Sequence, residues 1–151
     1  MQIKIQYSYL VESINFLSAM TLKGKQSIHR TRFIKQLSEK LKQVSEEELQ
    51  LIKEFTGKDD KGDPNKNEDG SFAIDDINEF KKQQHDYLSE YYVIEGGDAH
   101  GMIKTLKGVI ENYDKEVSGK EADAFEHLFT AFENSNEKER KNNVRNSNHS
   151  N

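Results

Sequence analysis

The chain has 151 residues, of which 33% are hydrophobic and 32% charged, and its formal net charge is -5. That length suits one domain, the polar composition demands that apolar residues gather in stripes, and the acidic balance weighs against general nucleic-acid binding. The absence of Cys excludes disulfides and thiolate chemistry, and with no signal pattern and no apolar run of about 18 residues the expectation is a soluble cytoplasmic protein without membrane contact.

Residues 2–7 alternate, with Ile3, Ile5 and Tyr7 on one face, which predicts a short strand. A helix follows at about 9–21, with Leu10, Ile14, Leu17 and Met20 as its buried stripe, and Gly24 breaks it from the next element. Across 27–56, Ile34, Leu37, Leu41, Val44, Glu48, Leu51 and Phe55 fall at alternating steps of three and four. This seven-residue repeat predicts a long helix with one seam against a partner, capped by Ser27 and stopped by Gly57.

The partner is predicted at 75–92, where Ile77, Phe80, Gln84, Tyr87 and Tyr91 repeat in the same way behind an Asp75 or Asp76 cap. Folded back through the polar stretch 57–74, the two helices make an antiparallel hairpin. If Phe55 packs near Ile77, Glu48 and Gln84 meet at one level of the seam with His85 close by. A buried carboxylate needs such a partner, and a polar pair fixes register. "YYVIE" at 91–95 predicts a second strand able to pair with 2–6. Residues 99–117 predict a helix faced by Ile103, Leu106, Ile110, Tyr113 and Val117. Ser118, Gly119 and Glu121 mark a turn and capping box before a last helix at about 120–133, carrying Phe125, Leu128, Phe129 and Phe132.

The expected fold is therefore α+β and predominantly α-helical: a long antiparallel helical hairpin, a small two- or three-stranded sheet and two C-terminal helices. It forms a single domain over 1–133 with a loop insertion at 57–74. Residues 134–151, rich in Asn, Ser and charge, are expected to form a disordered tail.

Four stretches raise chemistry. "NKNEDGSFAIDD" (65–76) places Asn65, Asn67, Asp69, Gly70 and Asp76 at EF-hand positions. The motif fails on context, because GKDDKGDP precedes it where a helix must run, and Asp76 stands where a bidentate Glu belongs. Turns and a short extended "SFAI" piece account for it better. Residues 23–42 form the chain's one basic block, and Lys25, Arg30, Arg32 and Lys35 are its candidate binding surface for an anionic partner, set against a solvated helix face. "EGGDAHG" (95–101) lacks the spacing of either glycine-rich phosphate fingerprint. Asp123 and His127 are four apart on a helix with no third ligand, so they read as a surface pair. No catalytic residues, metal ligands or cofactor are assigned.

"LKGKQSIHRTRFIKQL", "SEEELQLIKEF", "DKGDPNKNEDGSF", "YYVIEGGD" and "NYDKEVSGKEADAFEHLFTAFE", in that order up to about residue 133, resemble a family of short uncharacterised proteins of Gram-positive phages and prophages. The resemblance implies a bacterial or phage setting and carries over no reaction or catalytic residue. It suggests a non-catalytic accessory acting by protein–protein interaction, in tail or virion assembly, with a phage structural protein as partner. Two alternatives stand beside it. One is an inhibitor of a host anti-phage defence system, docking on a nucleic-acid-handling effector. The other is a small enzyme or nucleic-acid-binding protein, whose titratable groups should then converge near His100 or His127. Homo-oligomer formation stays open.

Overall fold

The computed structural model describes residues 1–95 and 99–147, with side-chain surroundings for 1–95 and 101–135. Its elements in chain order are β1 (Gln2–Gln6), a short 3-10 turn (Tyr7–Tyr9), α1 (Leu10–Ser18), α2 (Gly24–Thr56), α3 (Ile77–Leu88), β2 (Tyr91–Glu95), α4 (Ala99–Glu111) and α5 (Gly119–Ser147). The fold is the expected α+β, mostly helical, with a two-stranded antiparallel sheet and two C-terminal helices.

The alternation read at the N-terminus places Ile3 and Ile5 in the core with no exposed surface. β1 pairs with β2 in the register Gln2 to Glu95 through Gln6 to Tyr91. "SFAI" adds no third strand among the described residues, since Phe72 makes a single bridge to Lys66. The sheet is covered on its inner face by helices, α5 against β1 and α4 against both strands. Phe33 and Leu37 of α2, Leu10 and Leu17 of α1, Leu106 and Ile110 of α4, and Leu128 and Phe132 of α5 close a common core. Removing that much apolar surface from water is what stabilises so polar a chain.

α2 runs unbroken for 33 residues, a rod about 50 Å long. It starts at Gly24, behind Lys23 in the N-cap position, so Ser27 is not the cap. The positive φ of 59° at Gly24 turns the chain into the helix one turn early. Val44 is buried, and Leu41 and Leu51 are half-buried. The rod packs on three helices rather than one. Its first half packs on α1 and α4, and α3 folds back antiparallel along the second half. There Phe80 meets Phe55 edge-on with ring centroids 5.5 Å apart. Phe55 thus packs on Phe80, one turn further along than Ile77, which is 46% exposed.

α3 is also shorter than the repeat predicts. Asp76 caps it, accepting from the Glu79 N–H at 3.4 Å, and it ends at Ser89, whose hydroxyl donates to the His85 carbonyl at 2.7 Å. The Tyr7 N–H then ties Glu90 to the sheet at 2.8 Å. Tyr91 therefore lies in β2 instead of the helical seam. α4 likewise stops at Glu111 and not at 117. The Asn112 side chain donates to the Gly108 carbonyl at 2.8 Å, competing with the helical ladder. The turn carries Tyr113 onto Phe16, 5.3 Å between centroids. α5 goes further than composition suggests, remaining helical from Asn134 to Ser147. A helix already anchored by Leu128 and Phe132 extends without a new nucleation cost, and Glu137 to Lys141 are good helix formers.

The polar pair meets as the heptads require. Gln84 Nε2 donates to Glu48 Oε2 at 3.5 Å, and one turn away the Tyr87 hydroxyl donates to Glu47 at 2.5 Å. His85 is exposed and takes no part. Gln84→Leu alone is expected to cost about 0.5–1 kcal/mol, because the half-buried Glu48 loses its donor. Replacing both residues by leucine is expected to be neutral or stabilising. A double-mutant cycle in urea measures this, and additive single costs would show that the pair does not interact.

Candidate functional site

A cleft of about 1010 Å³ opens between the C-terminal end of α1, the link to α2, α4 and the start of α5. Sequence and local structure explain why it is open. α4 presents Gly101, Thr105 and Gly108 to the cleft at steps of four and three, one helical face of small residues. A Cβ added at the half-buried Gly108 or at the exposed Gly101 meets nothing within 4 Å, so this face of α4 leaves the cleft open. Phe16, Val109, Ala124 and Tyr113 supply apolar wall. Phe16, Tyr113 and Phe125 are mutually packed, with Tyr113 and Phe125 centroids 5.2 Å apart. The rim carries both signs, with Lys25, Lys104, Lys115 and Lys120 against Glu12, Asp114 and Glu121.

The four candidate basic residues do not form one surface. Lys25 lines the cleft. Arg30 turns inward, and its Nη1 donates to the Leu17 carbonyl at 3.1 Å and also to the Met20 carbonyl. It closes the C-terminal end of α1 and belongs to the fold. Arg32 and Lys35 are exposed on α2, away from the cleft lining. Lys40, which sequence reading left unassigned, packs over the rings of Tyr7 at 5.2 Å and Tyr92 at 5.5 Å. Glu48 and Gln84 sit in the α2–α3 seam as a structural pair.

The 57–74 connector is two copies of one turn, eight residues apart. The Asp59 N–H donates to Asp63 O and the Gly62 N–H to Asp59 O; the Asn67 N–H donates to Ser71 O and the Gly70 N–H to Asn67 O. Gly62 and Gly70 hold φ of 80° and 86°, which this turn requires. The rungs stack, with the Asn65 N–H on Gly57 O and the Ala73 N–H on Asn65 O. The signal was legible as Lys-Asp-x-x-Gly-Asp at 58–63 and Lys-Asn-x-x-Gly-Ser at 66–71. The polar side chains of the calcium frame brace these turns. Asn67 Nδ2 binds Ser71 Oγ, Asn65 Nδ2 binds Thr56 O, and Asp69 accepts from the Ser71 N–H and hydroxyl. The Ser71 hydroxyl, and then its N–H, hold the Asp69 carboxyl below its usual range. Among the described residues no three His, Asp or Glu side chains gather as a metal site.

His127 is half-buried, its ring stacked on Tyr9 at 4.0 Å and 7°. It lies outside the cleft lining. Burial holds its imidazole below the ordinary 6.5, with Glu126 pulling the other way. The unfolded chain therefore takes up a proton that the folded ring refuses. The contribution to stability is present above about pH 6.5 and is lost as pH falls toward the folded value. His127→Phe is expected to keep the Tyr9 stack and flatten this limb, read as urea midpoints at about pH 7.5 and about pH 5.5. An unchanged slope would assign the limb elsewhere. Residues 96–98 and the side chain of His100 lie outside the described residues.

Among the described residues no helix is long and apolar enough to cross a membrane. No family model, curated protein or solved structure matches this chain.

Proposed function

We propose that the chain acts by non-catalytic protein–protein interaction, taking a segment of a partner protein into the cleft between α1, α4 and the start of α5. In the Gram-positive phage setting that the sequence resemblance implies, the partner is a component of the tail or virion under assembly. The observation that supports this reading is the character of the cleft. An uncharged floor with room for side chains lies beneath a rim carrying both Lys and acidic groups. A peptide segment offers apolar side chains to such a floor and charges of both signs to such a rim. A nucleic-acid groove needs a run of one sign.

A photo-crosslinking residue at Thr105 in infected cells tests it. The expected product is a phage structural protein, and Gly108→Trp, which fills the floor, is expected to weaken its capture at least about tenfold. A crosslink indifferent to Gly108→Trp would remove the cleft from the interaction. A host nucleic-acid-handling effector in its place would overturn the assembly role and favour the inhibitor alternative.

A further inference from the structure

The small sheet has one side that the fold leaves open. The Tyr7 N–H donates to Glu90 O in the β1–β2 register. Antiparallel pairs alternate, so Tyr92 and Ile94 exchange backbone bonds with β1, and Tyr91, Val93 and Glu95 point their N–H and C=O groups away from it. Among the described residues these groups have no backbone partner. Their side chains are open too, Tyr91 at 53% and Val93 at 38%. Soluble proteins blunt such edges with Lys, Pro, bulges or a covering element. β2 reads Tyr-Tyr-Val-Ile-Glu and carries none of these residues.

We propose that this edge pairs with the same edge of a second copy of the chain, antiparallel about a two-fold axis at Val93, giving one four-stranded sheet. The edge is complementary to itself. Val93 would exchange both backbone bonds with Val93 of the second copy. Tyr91 and Glu95 would exchange theirs with Glu95 and Tyr91 of that copy, about six hydrogen bonds in all. On the outer face the two valines would lie side by side with a tyrosine at each end. The pattern also disposes of the one charge. Gln2 Nε2 donates to Glu95 Oε1 at 2.6 Å, drawing the carboxylate toward β1. In this register the two Glu95 residues stand about 14 Å apart, beyond the screening length of about 8 Å at physiological salt. A parallel or shifted pairing would bring them closer or leave valine facing water. A closed two-fold contact also stops at two copies. The inference stands apart from the cleft, which lies on the α1, α4 and α5 side of the core.

The experiment is sedimentation of the full chain over a concentration series, beside Val93→Lys and Val93→Pro. Val93 points its N–H away from β1, so proline there removes no intrachain sheet bond, and circular dichroism reports whether each variant stays folded. The expected result is a monomer–dimer equilibrium for the parent chain, shifted to monomer by both variants at unchanged ellipticity. Hydrogen exchange at Tyr91 and Glu95 should be slowed in the parent and fast in Val93→Lys. A parent chain that stays monomeric at its highest soluble concentration, a dimer indifferent to Val93→Lys, or open-ended polymers would each overturn the proposal.

Discussion

Phe33→Ala is expected to lower the unfolding free energy by about 3–5 kcal/mol, a large part of the roughly 5–15 kcal/mol that holds a domain of this kind together. Phe33 is fully buried on α2, and its ring lies 6.0 Å from that of Phe132 on α5. It belongs to the core cluster that also holds Leu17 of α1, Leu37 of α2 and Leu106 of α4. Truncation removes the transfer energy of the ring and leaves a cavity in a core that four helices share. Such a core cannot collapse without shifting whole rods, which places the cost toward the upper part of the range. The midpoint of thermal unfolding should fall by about 10 °C. Phe129→Ala is the control. That ring is 38% exposed and 6.0 Å from Phe125 at the edge of the aromatic group, and its loss should cost about 1 kcal/mol or less. Equal losses for the two variants would mean that the core is not centred on α2.

The same burial pattern explains how far the sequence could be read. Periods of two and of seven placed β1 and the long helix because Ile3, Ile5, Leu37 and Val44 each answer to a single buried face. The register of the α2–α3 seam was legible to within one turn, because Glu48 and Gln84 each needed a polar neighbour. What the heptads could not say is which partner covers which half of α2. Ile34 and Leu37 read alike whether they face α3 or α4. Helix ends were misplaced where a side chain competes with the backbone, as Asn112 does for the Gly108 carbonyl. The cleft was not legible at all. Its floor is defined by Gly101 and Gly108, and a glycine in a helix carries no sign of what is absent beside it. Both turns of the connector were legible from their Asp/Asn and Gly residues, and their eight-residue repetition stood in the sequence beside them.

Arg30 shows the same difficulty for charge, and it carries the second large effect. In sequence it is one of several cations in a basic block, equivalent to Arg32. In the fold its guanidinium donates to the Leu17 and Met20 carbonyls. The Leu17 carbonyl lies in the last turn of α1 and also accepts the Met20 N–H at 3.3 Å, and the Met20 carbonyl lies just past the helix end, where the helix dipole favours a cation. Two charge-assisted bonds at a partly buried position put the cost of Arg30→Met at about 2–3 kcal/mol. Arg32→Ala, on the exposed side of the same helix, should stay within about 0.5 kcal/mol of the parent. The link 19–23 lines the cleft through Ala19, Met20, Thr21 and Leu22. Releasing its carbonyl tether should therefore also weaken capture at the Thr105 crosslinker, as an indirect effect. Lys25→Ala gives the opposite pattern: unchanged urea midpoint and weakened capture, since Lys25 is exposed at the cleft rim. If Arg30, Arg32 and Lys25 instead behaved alike, weakening binding while leaving stability untouched, the basic block would be a single binding surface and the inward role assigned to Arg30 would be wrong.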